Sequence, residues 1–408
     1  MKLKVLYSII LVLLLFYVMG ILPVRGSASL NLPVQNLDTG FRYSTIQEAI
    51  DASATLDRQT ILVNNGTYNE NIVVRKSLTI IGAYENTTVI SFTVNNVNNC
   101  RISEFSIENI SVSNSQGDII DQNIFQANRS ILTEDCIDIQ NSSNIIVYNN
   151  TLVANQNYGV FLNQTSNIII SGNTFTNSFG IDDVKLQFSS RCIIDGNLMS
   201  GVFGNAIELD NSDENLIENN WMHDMTWDGI DFVTSYNNTV LGNTIESNWR
   251  GILIDDAYSN GFYENSLINN GNKYEQIPRQ VVIFGNDTSN YWNGDQGKGN
   301  YWSNYNGQDL NNDGIGDTPY TIDSQNQDNY PSMRPCAVSQ QELQVLYASL
   351  QNDYANSQTQ QNHINNELLN TRTQMYLFII TTAIFGLASI LLITYIIQRK
   401  HSTQRPES

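Results

Sequence analysis

The chain has 408 residues, 20 of them basic and 40 acidic, and a formal charge of −20. That balance excludes a surface built for nucleic acid or for anionic membranes, which carry charge of the same sign. The length suits one large domain with accessory segments, and the four cysteines show no C-x-x-C or Cys/His metal spacing and make no disulfide framework.

In chain order, residues 1–26 read as a secretory signal. Lys2 and Lys4 precede an apolar run from Val5 to Leu22, and Gly26, Ser27 and Ala28 supply the small residues of a cleavage region. Arg25 leaves an uncleaved anchor as the alternative. Residues 27–59 precede the repeats and are assigned to an N-terminal cap.

Residues 60–290 carry the main signal. Asn150, Asn173, Asn197, Asn220, Asn243 and Asn265 recur at intervals of 23, 24, 23, 23 and 22 residues. A period in this range marks a solenoid. Three residues before each Asn stand Val147, Ile170, Ile194, Ile217, Val240 and Phe262. Two residues after it stand Leu152, Phe175, Met199, Met222, Ile245 and Leu267. Apolar residues at fixed offsets are inward rows of stacked strands. A later strand in each coil places Val160, Val184, Ile207, Ile230 and Ile252 inward, followed by Leu162, Leu186, Leu209, Phe232 and Ile254. Helical periodicity is missing, so the expected fold is an all-β solenoid, a parallel β-helix. The repeated Asn is expected to form a hydrogen-bonded ladder, with tolerance of left-handed backbone a second reason for it. Cys192 shares a column with Ile145 and Ile168 and reads as a small buried residue.

Alternation turns Phe161, Lys185, Glu208, Asp231 and Leu253 outward. Glu208 and Asp231 then sit on neighbouring strands, about 4.8 Å apart. Mutual repulsion would raise one carboxyl into the range of acid/base chemistry, and a retaining glycosidase needs a similar separation. These two are the catalytic candidates. Asp210 and Asp255 lie two residues further along, and Trp221, His223, Trp227 and Trp249 add aromatic surface. Aromatic faces beside carboxylates grip sugar rings, so these six are the substrate-binding candidates. The plainer reading is that an acidic β-helix stacks carboxylates and packs aromatics in its turns anyway.

Residues 291–335 form a C-terminal cap with a calcium-type loop, DLNNDGIGD (309–317). Asp309, Asn311 and Asp313 stand at loop positions 1, 3 and 5, the Ile315 carbonyl at 7 and Asp317 at 9, with Gly314 at the sharp turn. Position 12 is Tyr320 where a bidentate Glu is usual, with Asp323 a possible substitute and a ligand-free turn the alternative. Residues 336–374 read as a helical stalk, either a weak self-associating coiled coil or a solvated spacer. Residues 375–397 are apolar and uncharged, long enough for a transmembrane helix. Arg399, Lys400 and Arg405 mark 398–408 as a cytoplasmic tail, leaving the bulk of a single-pass membrane protein outside the cell.

Two segments carry a family resemblance. YSTIQEAIDAS (43–53) with TILVNNGTYNENIVVRKSLTIIG (60–82) resembles the opening of right-handed β-helices of the pectin-lyase-like superfamily. GNYWSNYNGQDLNNDGIGDTPYTI (299–322) with DNYPSM (328–333) resembles the close of NosD-type, or carbohydrate-binding and sugar-hydrolase, β-helix proteins of archaeal and bacterial surfaces. The resemblance implies a right-handed coil and a capping helix, for which Thr45 and Glu48 form a capping box and Ile46, Ala49 and Ile50 an apolar face. The NosD namesake would also imply copper delivery. That role is not expected to transfer, because His223 is the rod's single histidine and no soft-ligand cluster accompanies it. The pectate-lyase and polygalacturonase catalytic patterns are absent, though Asp182 and Asp183 echo a paired-aspartate element of the latter.

The expected function is binding of a polysaccharide or glycoprotein glycan by a membrane-anchored surface rod. A polysaccharide hydrolase or lyase and a passive adhesion rod are the alternatives.

Overall fold

The computed structural model describes residues 32–335, apart from 127–134, 154–156, 177–179, 202, 272–278, 286–288 and 295–296. The expected signal segment, stalk, membrane span and cytoplasmic tail lie outside the described residues. Among those described, no helix is long and apolar enough to cross a membrane.

The rod is a right-handed parallel β-solenoid, and each regular coil contributes three strands. The coil from 193 shows the pattern: Ile193–Asp195, Leu198–Ser200 and Asn205–Asp210. Each strand pairs in parallel with its counterpart one coil on, in the register that the period implies. Ile194 faces Ile217, Met199 faces Met222 and Ile207 faces Ile230. The rows Val147 to Phe262 and Leu152 to Leu267, and both rows of the third strand, have no solvent exposure. Burial of such aliphatic side chains is worth about 1.5–3 kcal/mol each, and this is the main force stacking the coils. Ile145, Ile168 and Cys192 are also buried in one column.

The turn between the first and second strands carries the asparagine ladder. The backbone N–H and Nδ2 of Asn197 both donate to Oδ1 of Asn220, each at 2.9 Å, and Nδ2 also donates to the Ile170 carbonyl. The same exchange joins Asn220 to Asn243 and Asn243 to Asn265. The left-handed backbone falls one residue earlier than expected, on Asn149, Gly172, Gly196, Asn219, Gly242 and Glu264. The ladder asparagines keep ordinary backbone because their side chains must reach along the rod axis.

The N-terminal end is closed by the helix Ile46–Asp51. Thr45 Oγ1 accepts from the Glu48 N–H, Glu48 accepts from the Ser44 N–H, and Ile46, Ala49 and Ile50 are buried. The C-terminal end is closed by stacked rings. Phe262 lies on Trp292 at 4.5 Å, and Trp302 lies on Tyr320 at 4.1 Å.

Candidate functional site

The third strand of each coil builds the most polar part of the rod. Its outward column runs Phe161, Lys185, Glu208, Asp231 and Leu253, as the alternation predicts. Lys185 Nζ donates to Glu208 Oε1 at 2.6 Å, with both side chains mostly buried. Burial pulls the Lys185 ammonium down, but the hydrogen bond and charge of Glu208 more than offset it, and the net shift is upward. Glu208 is therefore a paired and positioned carboxylate, not the free partner of Asp231 that spacing alone suggests.

A second column stands at the start of the same strands: Asp182, Asn205, Asp228 and Arg250, all buried except the partly covered Arg250. Asp182 Oδ1 accepts from the Asn205 N–H at 3.0 Å. Its Oδ2 is sealed from solvent beside Glu208, with no proton donor while both acids are ionised. Burial, then the charge of Glu208, push the Asp182 carboxyl up to about 9. In its protonated form Asp182 can donate a hydrogen bond to Glu208. Two coils on, Arg250 Nε and a terminal nitrogen donate to the two oxygens of Asp228 at 2.5 and 2.7 Å. Burial still leaves Asp228 above the usual carboxylate range, with Arg250 opposing.

Asp231 lies between these pairs. Its Oδ1 is buried without a hydrogen-bond partner. Burial, then the charges of Asp228 and Glu208, push its carboxyl up to about 7. A half-buried acid titrating near neutrality can give or accept a proton at physiological pH.

Trp227 and Trp249 occupy the turn before this strand, on successive coils, and are 45 % and 37 % exposed. The Arg250 guanidinium lies 4.4 Å from the Trp249 ring centroid, so one cation joins the aromatic edge to the buried Asp228. Asp210 is held by Gln187 Nε2 at 2.9 Å and by Asn211 Nδ2. Asp255 stands two coils further on in the same column, facing Val233. Trp221 and His223 are placed elsewhere. They point outward from the second-strand sheet, stacked on each other at 4.1 Å, with His223 Nδ1 at 2.8 Å from Asp224 Oδ2. The fold brings Glu208, Asp210, Asp231, Asp255, Trp227 and Trp249 to one sheet and its turn, and leaves Trp221 and His223 on another.

Asp182, Asp228 and Arg250 are the site residues that strand alternation missed. The available signal was a polar residue recurring at 182, 205, 228 and 250, two places before the inward Val184, Ile207, Ile230 and Ile252.

The loop at 309–317 is folded on its own side chains. Asp309 accepts from the Gly314 N–H at 2.9 Å, Asp313 from the Ile315 N–H at 2.9 Å, and Asp317 from the Leu310 N–H at 2.7 Å. Asn311 accepts from the Asp313 N–H at 3.0 Å. Gly314 takes φ +88°, as the sharp turn requires. Tyr320 departs from the usual loop because its ring covers Trp302. Asp323, the other candidate for that position, accepts from the N–H and side-chain amide of Asn326.

Residues 133–307 match the family model described as periplasmic copper-binding protein (NosD). A cell surface glycoprotein of Methanothermus fervidus is 28% identical over 344 residues, spanning 72% of this chain and 56% of that protein. A probable ABC transporter binding protein NosD of Stutzerimonas stutzeri is 28% identical over 183 residues, spanning 45% of this chain and 32% of that protein. The chain thus spans about half the length of the first and a third of the second. Among solved structures, the A-module of the Azotobacter vinelandii mannuronan C-5 epimerase AlgE6 aligns at 13% identity and TM-score 0.43, covering 61% of this chain and 79% of its own. The NosD-type resemblance carried by the cap segments therefore extends through the repeats.

Among the described residues, the thiol and imidazole donors do not fit copper. Burial pushes the Cys100 thiol up to about 12 and the Cys192 thiol up to about 11, and Cys136 higher still, which disfavours the thiolate a soft metal needs. His223 is stacked on Trp221 and engaged with Asp224. No step is assigned to the metal.

Proposed function

We propose that the third-strand face binds glycan on a rod displayed outside the cell. The observation that carries this reading is the pair of exposed indoles, Trp227 and Trp249, on successive coils at the edge of a strand face that carries Asp231 and, at its opposite edge, Asp210 and Asp255. Leaving two tryptophans in water forgoes about 1.5–3 kcal/mol each of burial, a loss that makes sense where a ligand covers them. Ring faces of a sugar stack on the indoles while its hydroxyls donate to the carboxylates. Trp221 and His223 would form a separate contact patch round the corner. Names of the relatives, a cell surface glycoprotein and an ABC transporter binding protein, agree with an extracytoplasmic setting. The apolar run 375–397 would supply the membrane anchor, with 336–374 as a stalk able to self-associate.

A glycan array probed with the purified chain tests the reading, and a flat response to every neutral and acidic polysaccharide would sink it. A hydrolase or lyase is the second reading, favoured by the half-buried Asp231 next to Glu208. It requires release of reducing or unsaturated ends that disappears in Glu208→Gln and Asp231→Asn. The loop of Asp309, Asn311, Asp313, Ile315 and Asp317 is proposed to take calcium as a structural ion. Added calcium should then raise the melting temperature of the native chain but not of Asp313→Ala; equal responses remove the claim.

A further inference from the structure

The third-strand sheet has a second aromatic rim, opposite the tryptophans. Tyr236 and Tyr258 occupy the turn that follows the strand, on the same two coils as Trp227 and Trp249, with ring centroids 4.2 Å apart and Tyr258 exposed. Phe284 closes the next strand and is exposed, and Phe188 stands exposed at the same edge of the sheet lower on the rod. Phe188 also holds φ +50°, a left-handed backbone that a bulky residue adopts only at a cost of about 1–3 kcal/mol. Between the rims runs the six-residue strand Asp228–Val233, roughly 20 Å long. Its outward groups, with those of the neighbouring strand, include Asp231 and Asp255, while the cations Lys185 and Arg250 are tied to Glu208 and Asp228.

Resting on the glycan reading above, we propose that Tyr236 and Tyr258 form a second platform, so that a neutral polysaccharide lies along the strands from the tryptophan rim to the tyrosine rim. Each coil places one Trp and one Tyr nine residues apart, which sets the ligand along the strand direction and not along the rod axis. The floor offers carboxylate acceptors to hydroxyls and repels the carboxylates of a polyuronate.

The test is calorimetric titration of the full chain with a soluble β-glucan, a mannan and a galactan, each as long polymer and as trisaccharide, with polygalacturonate as the anionic arm. The Tyr236→Ala/Tyr258→Ala double variant should lose roughly tenfold in affinity for the long neutral polymer, and less than twofold for its trisaccharide. Trp227→Ala should weaken both. Since Tyr258 is exposed and Tyr236 lies outside the core, only partly covered, the melting temperature of the double variant should be nearly unchanged, which excludes a folding defect. An unchanged long-polymer affinity in the double variant, with Trp227→Ala impaired, overturns the second platform alone. Tighter binding of polygalacturonate than of any neutral polymer overturns the substrate class. Failure of the unaltered chain to bind any of these overturns the glycan reading and this one with it.

Discussion

The turn between the first and second strands and the outward face of the third strand use the same 23-residue spacing in opposite ways. At the turn, Asn150, Asn173, Asn197, Asn220, Asn243 and Asn265 are all buried and all make the same bonds. On the third strand, one column changes from Phe161 to Lys185, Glu208, Asp231 and Leu253 over successive coils. Where a side chain satisfies buried backbone groups, only a residue with both donor and acceptor fits, and the repeat is held fixed. Where it faces outward the repeat imposes direction but not identity. The third face nevertheless holds nearly buried charges, which cost stability unless they are paired. That expense in stability is what separates a working face from a decorated one.

The comparison breaks first at the ladder. Asn220→Ala removes both bonds accepted from Asn197 and the two that Asn220 Nδ2 donates, to the Ile194 carbonyl and to Asn243 Oδ1. It should cost about 4 kcal/mol in chemical denaturation; a loss under 1 kcal/mol would mean that the ladder is ornamental. Next comes Arg250→Ala, which strands the buried Asp228 and should cost about 3 kcal/mol. Removing both partners together, in Arg250→Met with Asp228→Leu, should recover most of that loss.

A smaller effect sharpens the contrast through pH. The folded-state carboxyls of Asp182 and Asp231 are raised, to about 9 and about 7. Between the unfolded carboxyl value near 4 and those values, the folded chain binds more protons than the unfolded one. Their contribution is therefore fully present below about pH 4 and is lost as pH rises through 7 and then 9. Asp231→Asn should raise the melting temperature by about 3 °C at pH 8 and change it little at pH 4. A gain that persists at pH 4 would place its cause outside this titration. The smallest effect is expected of Trp227→Ala. It should leave stability within about 0.5 kcal/mol while weakening glycan binding, and a large stability loss would make Trp227 a packing residue instead.

Much of this was legible in the sequence because the period fixes offsets. The inward rows, the ladder asparagines, the buried Cys192, the capping box at Thr45 and the register of Glu208 against Asp231 all follow from counting. Alternation fails at strand ends, where a residue is neither inward nor outward, so Asp182, Asp228 and Arg250 were passed over. Polar turn residues were equally opaque. Asn215, Asn238 and Asn260 form a second ladder, and Ser189, Ser212 and Ser235 a hydroxyl counterpart, which no apolar row or strand alternation marks. Position on the repeat also cannot say which sheet a tryptophan faces, which is why Trp221 was grouped with Trp227.

Both asparagine ladders run in one direction, each member receiving protons from the coil before and passing its own to the coil after. The first ends when the Asn300 N–H meets Asp328, which also accepts from Trp302 Nε1. The second ends when Asn326 meets Asp323. An aspartate side chain accepts hydrogen bonds but has no amide N–H to hand on. The two acids work as full stops at the end of the coil sequence, and an incoming strand from another copy would find no donor with which to continue either ladder. The rod's length is thereby punctuated, and end-to-end growth into a fibre loses its template.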